Sequence, residues 1–325
     1  MVLGLTFYVL RVLITGITGF AGGHLAELLL EQSYQVYGTY LHPGSLENLP
    51  ELQRKASLYP CDLTQLESVQ AVVKQVHPDL IYHLAGISHV QKSWSSRETT
   101  LKVNLFGSLN LLESVRNFAP SARILVVSSS EVYGKVPPDL QPIPESFPLR
   151  PITPYAVSKA SLELLCYPYL YGDKLQIVIV RPFNHTGPRQ DPSFACPDFA
   201  RQIAQIEKSL REPKIYVGNL EARRDFSDVR DVVKGYQRVL EDGEGGEIYN
   251  IASGQAYSIK DLLDILISLS LADIQISLDP DRLRPSDIPL LLGDNTKIRH
   301  QLGWQPEISI RDTLQAILDY WRERV

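Results

Sequence analysis

The sequence predicts an α/β fold with a doubly wound parallel sheet, and three observations support this prediction. Short apolar runs rich in β-branched residues alternate with helical patterns over residues 8–182. The runs are apolar on both faces, which is typical of parallel strands covered by helices on either side. A glycine-rich turn with Gly16, Gly19 and Gly22 separates the first predicted strand from the first helix, as in Rossmann-type domains.

Each element is predicted from its own periodicity. The segment FAGGHLAELLLEQS has apolar residues at i, i+3 and i+4 spacing and therefore predicts a helix. LESVQAVVKQV predicts another, and one long uninterrupted helix is expected over residues 97–119. The predicted strands are YVLRVLIT, YQVYGTY, ASLYPCDL, DLIYHLAG, ARILVVSSS and LQIVIVRP.

The composition changes after residue 182, where proline, aspartate and arginine become frequent and the predicted elements become shorter. The helix VRDVVKGYQRVLED and the strand EIYNIAS then indicate a return to the main sheet. We therefore expect a larger domain made of residues 1–180 and 226–255. A smaller, discontinuous C-terminal lobe is expected to comprise residues 181–225 and 256–325.

Composition excludes several classes of protein. The chain has 325 residues and a formal net charge of −5, so no general basic field attracts nucleic acid or anionic membrane. The apolar first residues lack a basic region and a cleavage site, and we expect them to lead into the first strand. The chain has three widely spaced cysteines, Cys61, Cys166 and Cys196. They favour a reduced cytoplasmic protein. Their spacing is not that of metal ligands, so we expect no metal site.

The glycine turn predicts dinucleotide binding. Glycines at these positions allow a tight turn and bring backbone N–H groups against a pyrophosphate at the helix N-terminus. The spacing G-x-x-G-x-x-G differs from the more common G-x-G-x-x-G pattern.

Tyr155 and Lys159 stand four residues apart, at the start of a predicted helix. This spacing places both side chains on one face of the helix, but it also occurs often without any catalytic role. Their surroundings in the sequence therefore have to decide between packing and chemistry.

Taken together, these motifs resemble the extended branch of the short-chain dehydrogenase/reductase superfamily over almost the whole chain. The order of the glycine turn, CDLT, LAGIS, VNLFG, VVSSSEVYG and PYAVSKA matches that family. The resemblance implies a catalytic set of Ser129, Tyr155 and Lys159. It also implies cofactor contacts by Gly16, Gly19, Phe20, Gly22, Asp62, Leu63, Leu84, Ala85, Gly86, Asn104, Tyr155 and Lys159.

In this family the pair acts as an acid–base unit. A nearby ammonium and the positive charge of the cofactor are expected to lower the Tyr155 pKa, so that the tyrosine exchanges a proton with a substrate oxygen. Ser129 is expected to donate a hydrogen bond to the same oxygen, and Lys159 to bind the nicotinamide ribose.

Several stretches resemble the GDP-mannose branch of the superfamily. They are GISHVQKSW, RPFNHTGPRQ, VGNLEARRDFSDVRD and RLRPSDIPLLLGD. A diphosphate is best bound by guanidinium groups, which an acidic protein must supply locally. The resemblance implies a GDP-sugar substrate bound by Ser88, His89, Ser130, Asn184, Arg224, Arg284 and Asp287.

Two reactions compete on this scaffold. A 4,6-dehydratase of GDP-mannose needs a base at C5, and Glu131 stands at that position. A reductase needs only Tyr155 and Lys159 to convert GDP-4-dehydro-6-deoxy-D-mannose to GDP-6-deoxy-mannose (GDP-D-rhamnose). The loop TGITGFAGG, the stretch TYLHPGSLENLP and a serine in place of the catalytic threonine depart from the dehydratase pattern. They favour the reductase.

Other functions stay open at this point. An epimerase or dehydratase acting on another nucleotide sugar is one alternative. A non-catalytic dinucleotide-binding regulator is another, although it predicts a broken Ser/Tyr/Lys set.

The cofactor preference and the oligomeric state are expected from the resemblance alone. After the second strand stand Thr39, Tyr40, Leu41 and His42, which are neither acidic nor strongly basic. The family implies NADP(H), with NAD(H) as the alternative. The helices around residues 98–118 and after Tyr155 pair across a two-fold axis in this superfamily, so we expect a homodimer.

Overall fold

The computed structural model describes residues 9–46, 49–282 and 288–325. Its helices are α1 (Phe20–Glu31), α2 (Pro50–Lys55), α3 (Leu66–Val76), α4 (Val90–Ser95), α5 (Arg97–Leu101), α6 (Gly107–Phe118), α7 (Pro154–Tyr171), α8 (Ala195–Glu207), α9 (Val229–Asp242), α10 (Ile259–Ser268), α11 (Thr296–Leu302) and α12 (Ile310–Arg322). Its strands are β1 (Arg11–Thr15), β2 (Gln35–Tyr40), β3 (Ser57–Pro60), β4 (Leu80–His83), β5 (Arg123–Val127), β6 (Gln176–Pro182), β7 (Asn184–Thr186), β8 (Lys214–Val217), β9 (Arg223–Asp228), β10 (Ile248–Ile251), β11 (Ala256–Ser258), β12 (Gln275–Leu278) and β13 (Leu290–Leu291).

Seven strands form one sheet in the order β10-β6-β5-β4-β1-β2-β3. The pairings from β3 to β6 are all parallel. The chain runs outward from β1 to β3 on one side and from β4 to β6 on the other. The order therefore reverses between β1 and β4, where ligands bind in doubly wound sheets. The predicted fold class is confirmed.

Apolar strand residues explain why this sheet is buried. Val12, Leu13 and Ile14 of β1 are at most 1% exposed, and all of β4 and the three central residues of β5 are buried. Helices α3, α6 and α7 pack on this sheet through an apolar cluster that includes Val73, Leu111 and other aliphatic side chains. Each such side chain contributes about 1.5–3 kcal/mol when fully buried.

The chain divides into two compact units. The first comprises residues 1–132, 151–180 and 236–248, and the second residues 133–150, 181–235 and 249–325. In the second unit β9 pairs with β7, β11 and β13, and β8 pairs with β12. Helices α8, α10 and α12 share one apolar cluster there. The functional division into a dinucleotide domain and a substrate lobe stays a prediction.

The helix expected over residues 97–119 is interrupted. A five-residue π-helical turn, Lys102–Phe106, separates α5 from α6. π turns of this kind often occur at functional sites because the wider turn redirects side chains. Here the turn contains Asn104, which is 1% exposed although it is polar.

Among the described helices, none combines the length and the apolar character needed to cross a membrane.

Candidate active site

The turn between β1 and α1 has room only for glycine at two positions. Gly16 has a φ of +72°, and a Cβ atom there would lie 2.8 Å from the Ala85 Cα atom. A Cβ atom on Gly22 would lie 2.3 Å from the Gly16 carbonyl oxygen. The Gly19 N–H donates to that same oxygen at 2.9 Å, which closes the turn. Side chains at positions 16 and 22 would therefore force the turn open.

The N-terminus of α1 follows this turn directly. Gly19 is its N-cap and supplies no side-chain hydrogen bond to the helix. The first-turn amides and the helix dipole therefore favour an anion at this end. Phe20 is the first helical residue, and its ring meets His24 edge-on at 5.6 Å. The residues present fit the pyrophosphate of a dinucleotide.

A chain of hydrogen bonds fixes the carboxyl ends of β1 and β4 beside this turn. Ser108 donates its hydroxyl hydrogen to the Asn104 carbonyl at 2.6 Å, so it accepts from His83 Nε2 at 2.7 Å. His83 Nδ1 is then the acceptor for the Thr15 hydroxyl at 2.8 Å. Thr15 in turn accepts from the Ala85 amide at 3.2 Å. Burial, with a smaller effect of the Lys159 charge, lowers the His83 pKa to about 3, so this histidine stays neutral.

Asn104 fixes the segment after β4. Its Oδ1 atom accepts from the Ile87 amide at 2.7 Å, while Nδ2 donates to the Ile87 carbonyl at 3.0 Å. Nδ2 also donates to the Ser158 hydroxyl at 2.9 Å. A Cβ atom on Gly86 would approach Asn104 Oδ1 to 2.9 Å. The predicted cofactor segment, Leu84, Ala85 and Gly86, is therefore held against the π-helical turn.

Asp62 and Leu63 follow β3, and the family resemblance implies that they contact the adenine of the cofactor. The Asp62 carboxylate accepts from the Thr64 amide at 2.9 Å and from its hydroxyl at 2.8 Å. Leu63 is 7% exposed, and its carbonyl accepts from Asn110 at 2.8 Å. Both residues shape the turn before α3, and their contact with adenine stays a prediction.

Helix α7 begins in a way that fixes Tyr155. Thr153 caps the helix by accepting from the Ala156 amide at 3.0 Å, and Pro154 occupies the first helical position. The Tyr155 amide donates to the Ser93 hydroxyl of α4 at 3.2 Å. The Tyr155 backbone is therefore held both by the start of α7 and by α4.

The structure brings Ser129 and Tyr155 together. Ser129 follows the end of β5, and its hydroxyl is close enough to the Tyr155 phenol to act on the pKa of that phenol. The Ser129 Oγ atom accepts from the Glu131 amide at 3.2 Å. Burial raises the Tyr155 pKa to about 12; the Ser129 hydroxyl opposes this and the Glu131 charge adds to it. The protein groups alone thus keep the phenol protonated, and the lowering of the Tyr155 pKa by Lys159 together with the cofactor charge stays a prediction.

The Lys159 side chain is held between the end of β5 and the segment after β4. Its Nζ atom donates to the Val127 carbonyl at 2.8 Å and would lie 3.8 Å from a Cβ atom on Gly86. Burial lowers the Lys159 pKa to about 8, while the Glu163 carboxylate raises it. The ammonium therefore persists at neutral pH beside the predicted nicotinamide-ribose segment.

The predicted substrate residues lie in several places. Ser88 is exposed, His89 is the N-cap of α4, and Ser130 is buried at 3% exposure. Asn184 is exposed on β7 of the second unit. Arg224, also in the second unit, donates from Nη1 to the Arg223 and Ile288 carbonyls. Arg284 and Asp287 lie outside the described residues.

Several positioning residues were not predicted from the sequence. They are Thr15, His83, Ser93, Ser108, Ser158 and Glu163. The signal for Glu163 was present, because it stands four residues after Lys159 in YAVSKASLE. The signal for Thr15 and His83 was their position at the ends of adjacent strands, which becomes informative only with the strand order.

A protein-family model described as GDP-mannose 4,6 dehydratase matches residues 13–317. The chain belongs to this family. It is 35% identical to a GDP-6-deoxy-D-mannose reductase of Pseudomonas aeruginosa, over 97% of this chain and 98% of that protein. It is 31% identical to a GDP-mannose 4,6-dehydratase of Yersinia enterocolitica, over 93% of this chain and 91% of that one.

Solved structures agree with this membership. A structure of RMD from Pseudomonas aeruginosa complexed with NADPH matches with a TM-score of 0.85 and 34% identity, over 98% of this chain and 100% of that one. The prediction of an enzyme in the GDP-mannose branch is confirmed at the level of the family.

Proposed function

We propose that this protein reduces the C4 ketone of GDP-4-dehydro-6-deoxy-D-mannose to GDP-D-rhamnose with a reduced nicotinamide dinucleotide. The observation that best supports the proposal is that Tyr155 and Ser129 are both buried, at 7% and 8% exposure, with the Ser129 hydroxyl acting on a phenol that keeps its proton. A ketone reductase needs a proton donor at the carbonyl oxygen, and a protonated tyrosine is one. The similarity to a curated GDP-6-deoxy-D-mannose reductase over 97% of the chain supports the choice of substrate.

The residues of this chain divide the work. The bound cofactor supplies the hydride that reaches C4. Tyr155 donates its phenol proton to the C4 oxygen, and Ser129 donates a hydrogen bond to the same oxygen. Lys159 stays charged nearby and stabilises the phenolate that remains. The glycine turn and the segment 84–86 hold the dinucleotide, and Asp62, Leu63 and Asn104 complete its site.

We propose NADP(H) as the preferred cofactor and NAD(H) as the alternative. The support for NADP(H) is the NADPH named for the similar Pseudomonas aeruginosa structure. The GDP-sugar is proposed to be bound by Ser88, His89, Ser130, Asn184, Arg224, Arg284 and Asp287.

A GDP-mannose 4,6-dehydratase is the second candidate. The observation that favours it is Glu131, whose charge acts on Tyr155 and which the family resemblance implies as the C5 base. In that case the hydride of C4 would pass to the cofactor and return to C6, Tyr155 would take the C4 hydroxyl proton, and Glu131 would take the C5 proton as the C6 hydroxyl leaves as water.

A paired assay tests both candidates. One reaction contains GDP-mannose with catalytic NADP⁺ and is followed for a 4-keto product. The other contains the 4-keto-6-deoxy sugar nucleotide with NADPH and is followed by the loss of nicotinamide absorbance. Turnover in the second reaction alone supports the reductase, and a Glu131→Gln variant should then stay active. Ketone in the first reaction overturns the reductase and makes Glu131 the C5 base.

We also propose a homodimer, in which exposed apolar side chains of α7 and of the π-helical turn form the interface. Val157 and Leu164 of α7 are 41% and 59% exposed, and Phe106 of the π turn is 55% exposed. Solvent-exposed apolar residues grouped in this way support an interaction surface.

A further inference from the structure

Two side chains of α7 hold the end of β5 immediately before Ser129. Lys159 donates to the Val127 carbonyl at 2.8 Å, and the Ser128 hydroxyl donates to the Glu163 carboxylate. We name the bonds Lys159–Val127 and Ser128–Glu163 the β5–α7 clamp. The Ser128 amide is also fixed, because it donates to the Val180 carbonyl of β6 at 2.8 Å.

The spacing of the clamp couples it to the proposed proton donor. Tyr155, Lys159 and Glu163 follow one another at intervals of four residues along α7. The partner of Tyr155 is residue 129, that of Lys159 is residue 127 and that of Glu163 is residue 128. These three partners are consecutive at the end of β5. A shift of Ser128 would therefore move Ser129 relative to Tyr155.

Glu163 is a buried carboxylate whose presence needs an explanation. It is 1% exposed, and a buried carboxylate is costly unless hydrogen bonds and an opposite charge compensate it. Ser128 supplies the hydrogen bond. The nearby Lys159 supplies the charge, and Glu163 raises the Lys159 pKa against the effect of burial.

Other titratable groups around Lys159 do not replace Glu163. His83 of β4 stays neutral, as does the Cys166 thiol, whose pKa burial raises. Tyr155 is protonated at neutral pH. On α4, α5, α6 and the π-helical turn, which pack against α7, the charged residues either are exposed or pair elsewhere: Lys92, Arg97, Glu98, Lys102, Glu113 and Arg116. Glu131, which follows β5, acts on Tyr155.

We propose that Glu163 is a positioning residue with two effects on the proposed reaction. Its charge keeps Lys159 in the ammonium form, and its bond to Ser128 sets the place of Ser129 against Tyr155. The proposal deepens the proposed function and rests on it, because it assigns roles around the same proton donor.

The charge effect is tested in the protein without cofactor or substrate. Lysines labelled with ¹³C at Cε are titrated by NMR, and a Lys159→Met variant identifies the Lys159 signal. Glu163→Gln should lower the pH of the Lys159 midpoint by about one unit, since an opposite charge nearby shifts a pKa by this order. Glu67→Gln, which removes an exposed carboxylate of α3, is the matched control and should leave the midpoint in place. An unchanged midpoint in Glu163→Gln overturns the charge effect.

The positional effect is tested by kinetics. Ser128→Ala keeps the Glu163 charge and should lower kcat about tenfold at every pH, with KM nearly unchanged, because Ser129 is misplaced. Glu163→Gln should instead lower kcat about tenfold near pH 8.5 and converge with the wild type near pH 6. A Ser128→Ala variant with wild-type kcat overturns the positional effect.

A conservative variant distinguishes the proposed positioning role of Glu163 from a merely structural role. Glu163→Asp keeps the charge on a shorter side chain, so it should retain the Lys159 midpoint and lose kcat uniformly. If Glu163→Gln does not fold, the midpoints of Glu163→Asp and Ser128→Ala still decide, because a large shift in either contradicts the proposal. Failure of the wild type to reduce the 4-keto sugar rejects the proposed function and leaves the titration result valid.

Discussion

At Tyr155, burial and the Ser129 hydroxyl act on the same phenol in opposite directions. Burial disfavours the phenolate, whereas the Ser129 hydroxyl favours it, and burial has the larger effect. The phenol therefore keeps its proton until a substrate oxygen that gains negative charge accepts it. This is the behaviour that reduction of a ketone requires of its acid.

Replacement of Tyr155 by phenylalanine should abolish turnover while dinucleotide binding persists. The phenylalanine ring fills the same space, but the proton donor is lost, which costs about 10²–10⁴ in kcat. Stopped-flow or steady-state reduction measures the loss, and fluorescence titration with NADPH measures binding. Tyr320→Phe on α12 removes a hydroxyl outside this network and is the control. Substantial residual turnover in Tyr155→Phe would show that another group is the acid.

His83 makes the stability of the fold depend on pH. Its pKa falls from 6.5 to about 3 in the folded chain because burial disfavours the charged ring. Below pH 6.5 the unfolded chain therefore binds a proton that the folded chain does not, so acidification favours unfolding. The loss from this group is about 1.4 kcal/mol for each pH unit until the folded pKa is reached.

A His83→Gln variant should reduce this pH dependence. Glutamine can still donate to Ser108 but does not titrate, so the difference in unfolding free energy between pH 6.5 and pH 5 should shrink by about 2 kcal/mol. Urea unfolding at the two pH values measures it. The exposed His300→Gln variant of α11 controls for the loss of one histidine. An equal slope in wild type and His83→Gln would contradict the assignment.

At the scale of elements, the neighbouring glycines Gly22 and Gly23 after the β1–α1 turn differ in the space around them. A Cβ atom on Gly22 would lie 2.3 Å from the Gly16 carbonyl, which is a backbone atom that cannot rotate away. A Cβ atom on Gly23 would meet the Leu49 side chain at 3.6 Å, which is an ordinary contact.

Gly22→Ala should therefore raise the dissociation constant for the dinucleotide at least tenfold and destabilise the fold, whereas Gly23→Ala should not. Overpacking costs about 1–3 kcal/mol, while alanine inside a helix gains up to about 1 kcal/mol over glycine. Calorimetric titration with NADPH and thermal unfolding measure the two effects. Equal behaviour of the two variants would mean that the turn relaxes and that its tightness is not functional.

The π-helical turn shows what periodicity cannot predict. Residues 97–119 have a continuous helical pattern, yet one extra residue per turn at Lys102–Phe106 carries Asn104 into its bonds with Ile87 and Ser158. The sequence contains Asn104 and Gly107, but only the tertiary partners favour the wider turn. Helix propensities do not include the effect of such tertiary partners.

At the scale of the whole molecule, sequence reasoning performed best where a motif and an element coincide. The parallel sheet, the glycine turn and the placement of Tyr155 and Lys159 at the start of one helix could be predicted, because each follows from periodicity or local spacing. The chain of hydrogen bonds through Thr15 and His83 and the bond from Ser128 to Glu163 could not, because they join residues 68 and 35 positions apart. Their formation depends on which strands become neighbours.

The proposed dimer gives the last prediction. Val157 and Leu164 are seven residues apart on α7 and therefore lie on one side of the helix, and Tyr171, a further seven residues on, is 69% exposed. A monomer would leave this apolar stripe in water, whereas a second copy placed by two-fold symmetry would cover it with its own stripe.

Leu164→Glu should convert the protein from a dimer to a monomer of 36.6 kDa. In a two-fold interface the substitution brings two buried carboxylates close to each other, and their desolvation opposes association. Light scattering coupled to size exclusion at micromolar concentration measures the mass. Leu210→Glu introduces the same change at a residue that is 64% exposed and lies outside the stripe, so it should stay dimeric. A wild-type protein that is already monomeric, or a Leu164→Glu variant that remains dimeric, places the interface elsewhere or removes it.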